Sequence, residues 1–213
     1  MIKNKTITVF GATGKVGGHF VQMALKQGYI LKVLIRDENK FSHSENPNVK
    51  IIVGSATNSK NVEEAIQGSD IVVSLLGNVG DSTIMYEAHN AILDVAKKQE
   101  TIPRCLMISS IGFGGTSWLI KQLLKYKFIG KKGYNDYEKA DKRIREEKEV
   151  SFVLVRPSAL TDKDGKGTYK AIKKPKGGTF FKPISRADVA KFFLDAVEET
   201  KWDGNTGVLL GGK

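Results

Sequence analysis

The stretch Thr6-Ile7-Thr8-Val9-Phe10-Gly11-Ala12-Thr13-Gly14-Lys15-Val16-Gly17-Gly18 decides the fold of this 213-residue chain. Five β-prone residues run straight into glycines spaced G-x-x-G-x-x-G, and a helical pattern from His19 to Gln27 follows, ended by Gly28. A strand, a glycine turn and a helix in that order form the first unit of a dinucleotide-binding domain. One glycine permits the tight turn, one lets backbone approach a pyrophosphate, and one allows close helix–strand packing. The free N–H groups at the helix start then face the phosphates. A Walker-type phosphate loop is excluded by spacing: Val16 follows Gly14-Lys15 where Ser or Thr is needed, and Val9 stands where the first glycine would be.

Outward from this unit, strand and helix signals alternate, as expected for a parallel sheet with crossover helices. Ile30–Ile35, Val49–Val53, Ile71–Leu76, Cys105–Ile108, Phe152–Val155 and Val208–Leu210 read as strands; Asn61–Gln67, Thr83–Gln99, Asp136–Lys148 and Arg186–Glu199 read as helices. The expectation is a three-layer α/β Rossmann fold with a doubly wound parallel sheet, in one domain spanning residues 1–213. Two stretches break the alternation, about 111–134 and about 161–182. Both follow strand C-termini, where open α/β sheets bind ligands, so they are expected to build the substrate side.

Composition narrows the class. Hydrophobic residues make up 40% and charged residues 27%, the balance of an ordinary globular domain. One cysteine, Cys105, allows no disulfide within the chain. The start lacks the apolar stretch of a signal peptide, and the runs 71–76 and 118–124 are too short to span a bilayer, so a cytoplasmic location without membrane association is expected. Thirty-four Lys and Arg against 23 Asp and Glu give a net charge of +11. That favours anionic partners without choosing among them, and no nucleic-acid recognition motif stands behind it. His19, His43 and His89 lack ligand spacing, and no metal is expected.

The end of the second strand bears on the cofactor. An NAD site usually carries Asp or Glu there, bonded to the ribose hydroxyls. Here Val33-Leu34-Ile35 ends in Arg36, whose planar fork suits a 2′-phosphate, and Lys15 adds a second cation. NADP(H) is therefore expected over NAD(H). Asp37 is the competing signal, since it could reach the ribose.

Gly11-Ala12-Thr13-Gly14, Val33-Leu34-Ile35-Arg36-Asp37, Leu75-Leu76-Gly77, Ser109-Ser110 and Val155-Arg156-Pro157 occur in an order that resembles the atypical short-chain dehydrogenases/reductases, within the NmrA-like set of NAD(P)-binding proteins. The nearest group is that of biliverdin-IXβ reductase and flavin reductase. The resemblance implies that Gly11, Thr13, Gly14, Lys15 and Val16 line the pyrophosphate and that Arg36 holds the 2′-phosphate. It places Leu76 and Gly77 along the middle of the cofactor. Ser109, Ser110, Pro157 and Ser158 would lie near the nicotinamide, with Ala159 beside them. Ser110 is the catalytic-side candidate, and Tyr137 a weaker one.

One departure matters for chemistry. The Y-x-x-x-K pair, whose lysine lowers the tyrosine pKa for proton transfer, is absent: Tyr137 is followed four residues on by Asp141, and Tyr134 by Glu138. Lys142 could approach Tyr137 only through an irregular helical turn. The histidine that follows the sixth strand in biliverdin-IXβ reductase is replaced by Ala159. Phe113, Trp118, Phe128, Phe180 and Phe181 could wall a flat-ligand pocket or simply pack beneath long loops. The expected function is NADPH-dependent hydride transfer to a flat, conjugated, anionic acceptor such as a flavin, quinone or tetrapyrrole. The alternative is a non-catalytic NADP(H)-binding sensor or scaffold of NmrA-like type.

Overall fold

The computed structural model describes residues 5–77, 83–113, 121–122, 124–128, 130–173, 182–204 and 207–213. Strand β1 (Thr6–Phe10) leads through the glycine turn into helix α1 (Lys15–Lys26). There follow β2 (Ile30–Ile35), β3 (Val49–Val53), α2 (Ser59–Ile66), β4 (Ile71–Ser74), α3 (Met85–Ala96), β5 (Arg104–Ile108), α4 (Lys131–Arg145) and β6 (Phe152–Pro157). The chain ends with β7 (Leu160–Thr161), β8 (Lys170–Ile172), β9 (Ile184–Ser185), α5 (Arg186–Glu198) and β10 (Val208–Gly211).

The main sheet has the order β3-β2-β1-β4-β5-β6-β10-β8, parallel except for β8, which pairs antiparallel with β10. Strands β7 and β9 form a separate parallel pair. The order reverses at β1, so the chain leaves β1 and β4 toward opposite faces and opens a crevice above their C-terminal ends. Alternation along the strands fills both faces. Ile7, Val9, Leu31, Val33, Val73 and Leu106 pack with Phe20, Val21, Phe192 and Val197 of α1 and α5. Phe10, Leu34, Val72, Met107 and Leu154 pack with Val62, Ile66, Ile92 and Ile144 of α2, α3 and α4. Burial on both faces is why the central strands read as near-continuous apolar runs.

The boundaries differ from the sequence expectation where helix propensity is weak. Helix α1 begins at Lys15 rather than His19, because Gly17 and Gly18, poor helix formers, disguise its first turn. Helix α4 begins at Lys131 rather than Asp136, so the end of the expected 111–134 loop is helical; β8 lies inside the expected 161–182 loop. Strand β4 stops at Ser74, and Leu75-Leu76-Gly77 leave the sheet as irregular chain. Trp118, Phe180 and Phe181 lie outside the described residues, as does the side chain of Phe128. Among the described residues no helix is long and apolar enough to cross a membrane.

Candidate functional site

The glycine turn is held by contacts that only glycine permits. Gly11 has φ +80°, and a Cβ there would stand 2.7 Å from the Leu75 carbonyl oxygen. A Cβ on Gly17 would overlap the Gly11 carbonyl oxygen. The turn is thus pressed against the end of β4 on one side and the first turn of α1 on the other. Gly14 caps α1 without a side-chain hydrogen bond, and no acidic residue stands in the first turn. The N–H groups there, with the positive end of the helix dipole, suit a phosphate. These residues therefore fit the pyrophosphate of a dinucleotide.

At the end of β2, Asp37 and Arg36 have different fates. One Asp37 carboxylate oxygen accepts the Asn39 N–H at 3.1 Å, and the other lies 3.4 Å from Lys40 Nζ. Arg36 is exposed and forms no ion pair with the described residues. A cavity of about 420 Å³ lies beside the turn, lined by Thr13, Lys15, His19, Gln22, Ser42 and His43 among others. Sequence reasoning did not single out Ser42 or His43 for this site; nothing in the spacing links them to residue 15.

Lys15 is already occupied. Its ammonium donates to Asp162 at 2.7 Å, and Arg186, the first residue of α5, donates to the other oxygen of Asp162 at 2.6 Å. These two cations hold the Asp162 carboxyl below its ordinary value, the Lys15 hydrogen bond contributing most. The segment after Asp162 is tied down in turn: Asp188 accepts the N–H groups of Lys166 and Gly167 and the hydroxyl of Ser185. A loop following β7 is thus anchored close to the glycine turn, a link that no local sequence signal announces.

The ends of β4, β5 and β6 face the first turns of α4, where the sequence places the substrate side as an expectation. A Cβ on Gly77 would stand 3.7 Å from the Tyr137 hydroxyl. The Tyr137 ring lies nearly parallel to Phe113, at 10° and 6.1 Å between centroids, and Tyr134 packs on the same Phe113 at 5.0 Å. One turn beyond Tyr137, the position a lysine would take in a proton-relay pair holds Asp141, which is buried. Asp141 accepts two hydrogen bonds from Arg156, at 2.7 and 2.8 Å, one from Arg145 at 2.9 Å and one from Ser109 at 2.9 Å. Gly207 leaves the space that the Arg156 guanidinium fills. Lys142 is exposed on a regular helix and pairs with Glu146 at 3.7 Å, so it does not approach Tyr137 as an irregular turn would have required.

The remaining strand-end residues are placed as follows. Ser110 is partly exposed and its hydroxyl donates to the Ile111 carbonyl at 3.2 Å. Pro157 is buried and its carbonyl accepts the Ile111 N–H. The Ser158 hydroxyl donates to the Lys182 carbonyl at 2.7 Å. A second cavity, of about 690 Å³, lies between α2, α3 and α4, lined by Thr57, Tyr86, Asn90, Asp136 and Lys139 among others; neither the glycine turn nor the serines reach it. His89 is fully buried in α3, one ring nitrogen bonded to the Met85 carbonyl and the other to the Ser74 hydroxyl. Burial pushes the Cys105 thiol up to about 12, which makes it unreactive.

A family model described as NAD(P)H-binding matches residues 11–200. The chain belongs to this NAD(P)H-binding family. Its match begins at Gly11, the first glycine of the turn. Over nearly its whole length the chain is also similar to the uncharacterized sugar epimerase YhfK of Bacillus subtilis, 24% identical over 214 residues, covering 97% of this chain and 94% of that protein. Among solved structures it is similar to the anaerobillin reductase ChuY of Escherichia coli O157:H7, with TM-score 0.79, 20% identity, and 97% and 96% of the two chains covered. It is similar as well to a short-chain dehydrogenase/reductase of Veillonella parvula in complex with NADP, with TM-score 0.77, 19% identity, and 97% and 94% covered. The likenesses to solved structures show that this member of the NAD(P)H-binding family shares their Rossmann fold.

Proposed function

We propose that this chain is an NADPH-dependent reductase of a flat, conjugated, anionic acceptor such as a flavin, quinone or tetrapyrrole. The observation that carries the reading is that Asp141, bonded to Arg156, Arg145 and Ser109, occupies the position one helical turn beyond Tyr137. Tyr137 stands beside Gly77 on the expected cofactor track, yet the group one turn on is a carboxylate neutralised by Arg156 and Arg145. A carboxylate does not lower a phenol's pKa, so the proton relay that serves ketone or alcohol chemistry is not built here. The same absence counts against an epimerase of the extended short-chain type. Transfer to a conjugated acceptor asks less of the protein: the reduced ring delocalises the charge, and rate comes from holding donor and acceptor in contact.

The nicotinamide dinucleotide supplies the hydride. The glycine turn would hold its pyrophosphate, with Gly11, Thr13, Gly14, Lys15 and Val16 around it, and Leu76 and Gly77 would run along its middle. Arg36 would take the 2′-phosphate, supported by its exposure and by the diversion of Asp37 into its own turn. Ser109, Ser110, Pro157 and Ser158 would border the nicotinamide, Ser110 having its hydroxyl turned to the adjacent carbonyl. The loops near 111–134 and 161–182 would cover the acceptor, with their lysines attracting its negative charge. The similarity in fold to an anaerobillin reductase is in keeping with this class of acceptor.

Titration of NADPH and NADH against wild type and Arg36→Ala, with FMN and quinone reduction followed in the same samples, tests the proposal. It expects tighter NADPH binding, loss of that preference in the variant, and acceptor-dependent NADPH oxidation. NADPH binding with no acceptor reduced would sink the enzymatic reading. A sensor or scaffold that binds NADP(H) without turnover would then take its place. That second reading has its own support: the hydroxyls of Ser109 and Ser158 are spent on contacts within the protein.

A further inference from the structure

Among the described residues, the Tyr134 hydroxyl is a buried side-chain polar atom with no hydrogen-bond partner. The residue is only 2% exposed. Leaving a buried hydroxyl unpaired is unfavourable, so its presence calls for a physical reason. Carboxylates near it or on the same helix are engaged elsewhere, Glu138 lying 3.9 Å from Lys121 Nζ. Asp141 is held by Arg156, Arg145 and Ser109, and both oxygens of Asp136 accept the N–H groups of Met85 and Tyr86 at the start of α3. Tyr134 lies one helical turn before Tyr137, and both rings pack on Phe113. Since the Tyr137 hydroxyl adjoins Gly77, an aromatic surface runs from the expected cofactor track to the Tyr134 side chain. One group over the Tyr134 ring is the Lys125 ammonium, 5.7 Å from its centroid, on a side chain flexible enough to move aside for an anionic ligand.

We propose that the Tyr134 hydroxyl is the hydrogen-bond donor to a ring carbonyl oxygen of the planar acceptor, making Tyr134 a specificity-determining residue. The class of ligand rests on the reductase reading; the hydrogen bond does not. Burial, with Glu138 and Asp141 nearby, holds the Tyr134 phenol above its ordinary value, so it remains a donor at neutral pH.

The test compares full-length wild type with Tyr134→Phe, both saturated with NADP+, binding FMN, menadione and phenazine. The first two have ring carbonyls; phenazine is planar and has none. Thermal melting of the free proteins is measured alongside. Tyr134→Phe is expected to melt at or above wild type, because an unpaired hydroxyl has been removed. FMN and menadione are expected to bind about tenfold more weakly, the worth of one ordinary hydrogen bond, and phenazine equally well. The proposal is overturned if the carbonyl ligands bind both proteins equally, if phenazine weakens as much as they do, or if wild type binds neither FMN nor menadione. A variant that melts well below wild type overturns it too, since the hydroxyl would then have a partner within the protein. Binding that depends on Tyr134 without NADPH oxidation would sink the reductase reading alone; turnover indifferent to Tyr134 would sink this inference alone.

Discussion

Asp141 on α4 and Arg156 on β6 meet in a two-point ion pair, at 2.7 and 2.8 Å, that is almost sealed from water. The pair fastens the helix carrying Tyr134 and Tyr137 to the strand that ends at Pro157. Removing one partner of a buried pair leaves the other charge unmatched, at about 3–5 kcal/mol. Asp141→Asn is therefore expected to lower the unfolding free energy by that amount, read as a lower urea midpoint with little change in slope. Asp141→Lys, which would restore the Y-x-x-x-K spacing, is expected to destabilise further, because it sets a third cation beside Arg156 and Arg145. A folded Asp141→Lys protein as stable as wild type would contradict this account.

Lys15 and Asp162 define a second test. Their ion pair with Arg186 is exposed, so breaking it is expected to leave the melting temperature nearly unchanged. It also keeps the Lys15 ammonium from other anions. Asp162→Asn is expected to strengthen NADPH binding by a few-fold at low salt and to steepen the dependence of that affinity on ionic strength. An affinity that stays constant would mean that Lys15 does not meet the cofactor phosphates.

Buried His89 sets a pH dependence. Burial lowers its pKa to about 4, against the opposing effect of the hydrogen bond to the Met85 carbonyl. The unfolded chain takes up the proton first as pH falls. The stabilisation is thus complete above about pH 6.5 and is lost progressively toward about pH 4, by roughly 3 kcal/mol in all. Urea melts from pH 7 to 4.5 should show this slope in wild type and a shallower one in His89→Met. Equal slopes would assign the effect to other groups.

Gly17 and Gly18 are neighbours with opposite expected behaviour. Gly17→Ala drives a Cβ into the Gly11 carbonyl, so the turn must shift; NADPH binding is expected to weaken by at least tenfold, with a loss of stability of about 1–3 kcal/mol. Gly18 has open space at its Cβ position on the exposed side of α1, and Gly18→Ala is expected to stabilise by about 0.5–1 kcal/mol through helix propensity. Melting of both variants and titration of Gly17→Ala check this. Unimpaired binding in Gly17→Ala would remove the turn from the cofactor site.

Much of the frame can be read along the chain. Glycine turns and short, near-continuous apolar strands are local signals, and Thr6 to Gly18 carries enough of them to specify the first strand, the turn and the dinucleotide site class. Arg36 at the end of β2 was legible for the same reason. Boundaries were less so: Gly17 and Gly18 hid the first turn of α1, and Gly130 and Gly133 disguised the start of α4, because packing outweighs propensity there.

What the sequence by itself determined is the Rossmann class, the position of the glycine turn and the lack of a Tyr–Lys pair, all of which follow from residue type and spacing over a few turns of chain. Only the tertiary structure decided that Asp141 belongs to Arg156, that Asp162 occupies Lys15, and that the buried Tyr134 hydroxyl has no hydrogen-bond partner among the described residues. Those relationships join residues on separate elements, and which partner a charge or hydroxyl finds depends on burial and on the close approach of backbones that no local pattern encodes.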